Sequence, residues 1–535
     1  MEYKDYMNQI QQRLNTMSAE EKNQWIYQYA RVLDKSQRQK MLESLNFEHS
    51  QIINFHEKDF QQFINDVRDG ELTIPATEED DYYYGYDSEY ITYYTKECDL
   101  LNQLNDYIQD AFLYINNCQY QQGFNILQKL QDLEYEAVYD YGDIYELSFA
   151  ELFENNLMDV SLEQYSLYYL YAAFQLHRNI SEMYSYFNQS KVEYVLSDLM
   201  AFGPEEITLS DDEYDRWISF LENTPGDYAA KLLRDICFLY GDINQLTKMT
   251  FEIGAKHPSL YLDVIDYDLS LHQLEHAKTI ASQAFKQLDE GLTIRSKIAE
   301  TLIPYCPDDI ELYKISFLSN PQINHCLQLY TLDCDIAFIK TEFQKKNYAI
   351  RFEFATLEQE KASLSSDQKE ILLFFLGDYE NILEKAEKDQ NNLGWSSNLK
   401  GILIPLLLMY LKPEKMHFVA DDAVMDDLRR SLKVSGEDFY QLFHIWKEKY
   451  MMTDGFKKKC IQWLKDEIEQ RAEVIVGGTH RHSYYEVAKE IVVLSEILYL
   501  NKNITSMETF VKDYIKRYSR KHAFKAEMLK YAKQV

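Results

Sequence analysis

Between Tyr228 and Leu288, apolar side chains recur at helical spacing in four successive stretches, and this recurrence constrains the fold more than any other feature. Leu232, Leu233, Ile236 and Leu239 form the apolar face of the first stretch, with Lys231, Arg234 and Asp235 between them. Gly241-Asp242 interrupts the pattern, and Ile243 and Leu246 open the next period. Glycine accepts the left-handed backbone that ends a helix, and aspartate accepts bonds from the first free N–H groups of the following one. After Pro258 come two more periods, 260–271 and 277–288, the second carrying Ala277, Ala281 and Ala284. Small residues at that spacing let helices approach closely, and the spacing predicts helix pairs of about 34 residues.

The same punctuation recurs at Gly142-Asp143-Ile144, Gly226-Asp227-Tyr228 and Gly377-Asp378-Tyr379, in a chain with only 16 glycines among 535 residues. Gly241 and Gly377 are 136 residues apart, a multiple of 34, whereas Gly142 and Gly226 are 84 apart, so the expected repeat is irregular. With only 9 prolines as well, the expectation is an all-α superhelical solenoid of tetratricopeptide-like helix pairs.

Four segments are expected. Residues 1–70 read as an N-terminal helical region, and 71–99 as an acidic, tyrosine-rich linker containing the run Glu78-Glu79-Asp80-Asp81-Tyr82-Tyr83-Tyr84. Residues 100–475 read as the repeat region, and 479–535 as a basic helix pair, 484–500 and 507–531, capping it beyond a flexible Gly477-Gly478 joint. The apolar run 402–411 contains Pro405 and is half the length of a membrane span. The seven cysteines are scattered without a C-x-x-C pair, and no apolar signal region opens the chain, so reduced thiols and a cytoplasmic location are expected.

Charge separates the function classes. The net charge is −33, and residues 76–160 alone hold 19 Asp/Glu against Lys96 and Lys129. Such a surface repels nucleic-acid and membrane phosphate. Residues 511–535 are the exception, with eight Lys/Arg against Asp513 and Glu527. Nucleic-acid contact through that basic tail, or a regulator whose carboxylates are spaced on one face like phosphates, is therefore an alternative. The tail is also positioned to neutralise the acidic segment from within the chain.

Candidate chemistry is sparse. His272-Gln273-Leu274-Glu275-His276 matches H-x-x-E-H, the pattern of a zinc peptidase that needs both histidines on one helical face. The competing reading is a turn joining two helices at His272, which breaks that face. His480-Arg481-His482 offers no nameable third ligand and reads as a solvated hinge. The aromatic stretch 165–187, with Tyr168, Tyr169 and Tyr171, reads as helix-interface core. The strongest site is acidic and aromatic together: Glu134, Glu136, Asp140 and Asp143 interleaved with Tyr135, Tyr139, Tyr141 and Tyr145. Rings supply buried area and carboxylates supply steering, which suits a basic protein partner. The expectation is a non-enzymatic scaffold or adaptor without metal or cofactor.

Two stretches carry a family resemblance. Arg481-His482-Ser483-Tyr484-Tyr485-Glu486-Val487-Ala488 and Tyr518-Ser519-Arg520-Lys521-His522-Ala523-Phe524 resemble the end of bacterial helical-repeat regions found downstream of SWIM zinc fingers. Leu260-Tyr261-Leu262-Asp263-Val264 and Ala277-Lys278-Thr279-Ile280-Ala281 look like the tetratricopeptide-like pairs of those proteins. The resemblance runs from Leu100 onward and implies helical repeats, but the chain has no C-x-C…C-x-H zinc signature.

Overall fold

The computed structural model describes residues 3–33, 37–38, 41, 53, 55–80, 90–240, 243–348, 359–388, 398–413, 416–434 and 438–533. The fold is mostly helical, and the chain divides into two compact units, residues 1–264 and 265–535.

The first unit corrects the all-α expectation with a four-stranded sheet. Strands β1 (Ile74–Asp80), β2 (Tyr90–Tyr94), β3 (Glu134–Tyr139) and β4 (Ile144–Ser148) lie in the order β2-β1-β3-β4. β1 pairs antiparallel with β2 (Ala76 opposite Tyr94) and parallel with β3 (Ile74 opposite Ala137), and β3 pairs antiparallel with β4. The segment 71–99, expected to be a linker, thus supplies two strands, while residues 81–89 of its acidic run lie outside the described residues. A parallel pair needs a long crossover. Here the helix pair Asp99–Asn116 and Tyr120–Gln131 provides it.

That helix pair depends on Gly123. A Cβ there would sit 2.5 Å from Ile115 Cγ1 and 2.8 Å from the Ala111 carbonyl oxygen. The expected aromatic core is present: helix Leu162–Leu176 buries Tyr165 and Tyr169, and Tyr168 stacks on Phe112 with ring centroids 3.9 Å apart. The Tyr165 hydroxyl donates to the Leu127 carbonyl at 2.7 Å, so its one polar atom is satisfied inside the core.

The four periods between Tyr228 and Leu288 are helices Asp227–Tyr240, Ile243–Ile253, Ser259–Ser270 and Leu274–Gln287. Gly226 and Gly377 have φ of +116° and +96°, the left-handed conformation expected of helix-flanking glycines. Gly142 shares that conformation (φ +91°) but turns a hairpin between β3 and β4 rather than joining helices. Gly241-Asp242 lies outside the described residues.

The second unit is built around helix Tyr484–Leu500, which is buried from Val487 through Leu498 and packs on helices Leu399–Leu411, Val419–Ser431, Asp454–Arg471, Met507–Arg517 and His522–Tyr531. The apolar run containing Pro405 is one of those buried helices. No helix among the described residues is long and apolar enough to cross a membrane. Two expectations change here. The joint at Gly477-Gly478 is a tight turn closing a π-helical extension, Ala472–Gly477, where a Cβ on Gly478 would meet the Val474 carbonyl at 2.2 Å. The stretch 507–531 is two helices, broken after Arg517, rather than one.

Gly123→Ala is expected to destabilise the first unit by about 1–3 kcal/mol, because the added methyl meets packed atoms and outweighs the gain in helix propensity. Urea unfolding followed by circular dichroism measures this, and an unchanged or raised midpoint contradicts the close approach.

Candidate functional site

The acidic and aromatic residues singled out above all lie on the β3–β4 hairpin. The stretch Glu134-Tyr135-Glu136-Ala137-Val138-Tyr139 alternates with the two-residue period of a strand, and Tyr135, Ala137 and Tyr139 point inward. Tyr139 accepts a bond from the Gly142 N–H (2.8 Å) and donates its own N–H to the Asp143 carbonyl (2.9 Å). With Gly142 left-handed, Asp140-Tyr141-Gly142 forms a three-residue hairpin loop that glycine makes strain-free.

This geometry divides the eight residues. Tyr135 is completely buried and its hydroxyl donates to the Leu130 carbonyl at 2.7 Å, so it belongs to the core and does not reach a partner's surface. Tyr139 is buried too, its ring stacked on Tyr141 at 5.4 Å. Glu136 is half-buried, whereas Glu134, Asp140 and Asp143 are exposed. Tyr141 and Tyr145 are 60% and 51% exposed, and Ile144, which sequence reasoning did not single out, is 60% exposed. The Tyr141 hydroxyl donates to Glu78 Oε2 at 2.7 Å, and this bond to a carboxylate pushes its phenol up to about 12.

Among the described residues β4 is an edge strand. The ladder pairs Tyr139 with Asp143 by hydrogen bond and sets Val138 opposite Ile144, so alternation turns the N–H and C=O of Ile144 and Glu146 away from β3. The exposed part of the hairpin is therefore an open strand edge with apolar side chains and carboxylates beside it.

The other motifs resolve differently. His272 has φ of +59° in the turn between helices Ser259–Ser270 and Leu274–Gln287, so the two histidines do not share a helical face. His276 Nδ1 lies 2.7 Å from Oδ2 of the buried Asp268. Among the described residues no group of three His, Cys, Asp or Glu side chains is arranged to hold a metal ion. His480, Arg481 and His482 are exposed in a short turn before Tyr484. In the basic tail, Arg517 pairs with Glu469, Lys512 with Glu508 and Lys530 with Glu527, all within the second unit.

No family model matches this chain, and no curated protein or solved structure matches it significantly.

Sequence reasoning missed a second site. In the second unit a cleft of about 810 Å³ has apolar walls that include Ile323, Ile371, Leu372, Ile402 and Pro405. Arg471, Glu486 and Glu490 form a charged cluster in its lining. Arg471 Nη1 donates to Glu490 Oε1 at 2.5 Å, and Nη2 to Glu486 Oε2 at 3.3 Å. Arg471 and Glu490 are both buried, and Glu490 Oε2 and Arg471 Nε have no partner. Next to Glu490, Lys489 pairs with Asp427 and lies 4.9 Å from the Tyr485 ring centroid. The available signal was charged residues inside an otherwise apolar helix, Tyr484–Leu500.

Burial pushes the Glu490 carboxyl up to about 7, against the opposing pull of Arg471 and Lys489. Between its ordinary value of 4.5 and about 7, the folded protein keeps a proton that the unfolded chain has released. This contribution to stability is full below 4.5 and is lost as pH rises through 7. Urea unfolding free energies measured from pH 5 to 8 should therefore fall less steeply in Glu490→Gln than in the parent, and equal slopes would contradict the assignment.

Proposed function

We propose that this chain is a non-enzymatic, cytoplasmic helical-repeat adaptor, and that the β4 edge of its first unit receives a basic, extended segment of a partner protein. The carrying observation is an open strand edge with Tyr141, Ile144 and Tyr145 exposed among Glu134, Asp140, Asp143 and Glu146. Main-chain bonds from Ile144 and Glu146 supply affinity in strand addition, and alternate side chains of the added segment supply specificity. Natural proteins protect edge strands with lysine, proline or a covering element. This one carries carboxylates instead, which repel another acidic edge, a second copy of itself included, and attract lysine and arginine.

Charge supports the choice of partner. Residues 76–160 have a net charge of −17, about half of the −33 on the whole chain. Within the second unit, Arg517, Lys512 and Lys530 of the basic tail pair with Glu469, Glu508 and Glu527.

The test uses a labelled peptide of alternating lysine and valine. It should bind the purified protein at low salt and weaken at least about tenfold at 0.5 M salt, where the Debye length falls below about 5 Å. Combined Glu134→Ser, Glu136→Ser, Asp140→Asn and Asp143→Asn changes should weaken it similarly with the circular dichroism spectrum retained. Ile144→Pro removes only an outward N–H, so it should also weaken binding. Binding that survives both the charge substitutions and Ile144→Pro would overturn the proposal.

A further inference from the structure

The cleft in the second unit has features that neither the packing of that unit nor the adaptor reading explains. Its charged cluster contains one guanidinium, that of Arg471, shared between two carboxyl groups, those of Glu486 and Glu490. The neighbouring cation, Lys489, is engaged by Asp427 and the Tyr485 ring. Arg430, which also pairs with Asp427, is 71% exposed at its side chain. With Glu486 and Glu490 both ionised, the two carboxylates on Arg471 exceed the single charge of the guanidinium they share, whereas Asp427 is met by both Lys489 and Arg430.

The second observation is independent of this charge count. Glu490 Oε2 is buried and has no hydrogen-bond donor, a state that costs on the order of 1–3 kcal/mol and more for a charged group. Proteins seldom leave such an atom unmet unless something else supplies the donor. The rest of the lining mixes apolar side chains, Ile323, Ile371 and Leu372 among them, with polar ones such as Gln322, Asn324, Asp367 and Gln368. The cleft volume of about 810 Å³ falls within the range of small-molecule sites.

We propose that this cleft binds a small organic amine, with a primary ammonium set against Glu486 and Glu490 and an apolar body lying along the Ile323–Ile402 wall. An ammonium supplies both things the two carboxyls lack, a positive charge and several N–H donors. Arg471 Nε is also unpartnered, so the competing occupant is a neutral primary amide, which would meet both atoms but leave the excess charge in place. A carboxylate ligand would meet Glu486 and Glu490 at close range and is excluded by repulsion.

Binding is linked to pH. The charged groups around Glu490 are Arg471, Lys489, Glu486 and Asp427, with Arg430, Lys433 and Asp367 further along the cleft. Below neutral pH the Glu490 carboxyl holds its proton and the excess charge disappears, so an ammonium binds less tightly and its binding releases a proton.

The experiment is isothermal titration calorimetry on the full chain with phenethylamine, phenylacetamide and phenylacetate, at pH 8 and pH 6. Phenethylamine should bind at pH 8 and weaken by about tenfold at pH 6 and in Glu486→Gln. Glu490→Gln, checked for folding by circular dichroism, should weaken it and abolish the pH dependence. Glu496→Gln, a buried carboxylate on the same helix but outside the cleft, should bind as the parent does. Phenylacetamide or phenylacetate binding as tightly as the amine, undiminished amine binding in Glu486→Gln, or no heat with phenethylamine up to about 10 mM would each overturn the proposal.

Discussion

Helix Tyr484–Leu500 is hydrophobic almost all round and yet carries three buried charges, and the second unit is arranged by how those charges are met. Lys489 reaches Asp427 on helix Val419–Ser431, and Glu490 reaches Arg471 at the end of helix Asp454–Arg471. Glu496 faces Lys412, just beyond helix Leu399–Leu411, at 3.6 Å. An all-apolar helix can slide or rotate in its socket at small cost. One tied to three different neighbours by buried ion pairs cannot, because any displacement leaves a charge unpaired in a low-dielectric interior.

The pairs need not add net stability. Desolvation offsets most of the Coulombic gain, and both Glu496 oxygens have no hydrogen-bond partner. Burial accordingly pushes the Glu496 carboxyl up to about 7, as it does for Glu490. Their role in this account is register, while the apolar side chains from Val487 to Leu498 supply the driving force. The Arg471–Glu490 pair also belongs to the wall of the cleft, so the same helix that organises the core places one of its two incompletely met carboxyls beside a cavity.

How much of this could be read from the sequence depended on how local the interaction was. The helix 484–500 was legible from its apolar run and so were the periods between Tyr228 and Leu288, because a helix buries a face set by neighbours three and four residues away. The β3–β4 hairpin was locally legible too, in the alternation of Glu134 to Tyr139 and in Asp140-Tyr141-Gly142, but a helical reading of the Gly-Asp turns masked it. The parallel pairing of β1 with β3 joins residues about sixty apart across a helix pair, and no local pattern reports that. The acidic segment was recognised as a site, but the division of its tyrosines between core and surface followed only from which side of the strand each occupies. The cleft was invisible for a similar reason: Arg471 and Glu490 meet only after two helices pack, and neither belongs to a recognisable motif.

The central claim, that helix Tyr484–Leu500 is the element on which the second unit depends, is tested most directly by native-state hydrogen exchange. Amides from Val487 to Leu498 are expected to exchange most slowly in that unit and to open only with its global unfolding. Lys489→Met, which leaves Asp427 only its exposed partner Arg430, should speed exchange in helices Val419–Ser431 and Tyr484–Leu500 together. Amides of Tyr484–Leu500 exchanging through local openings, faster than those of the surrounding helices, would contradict the claim.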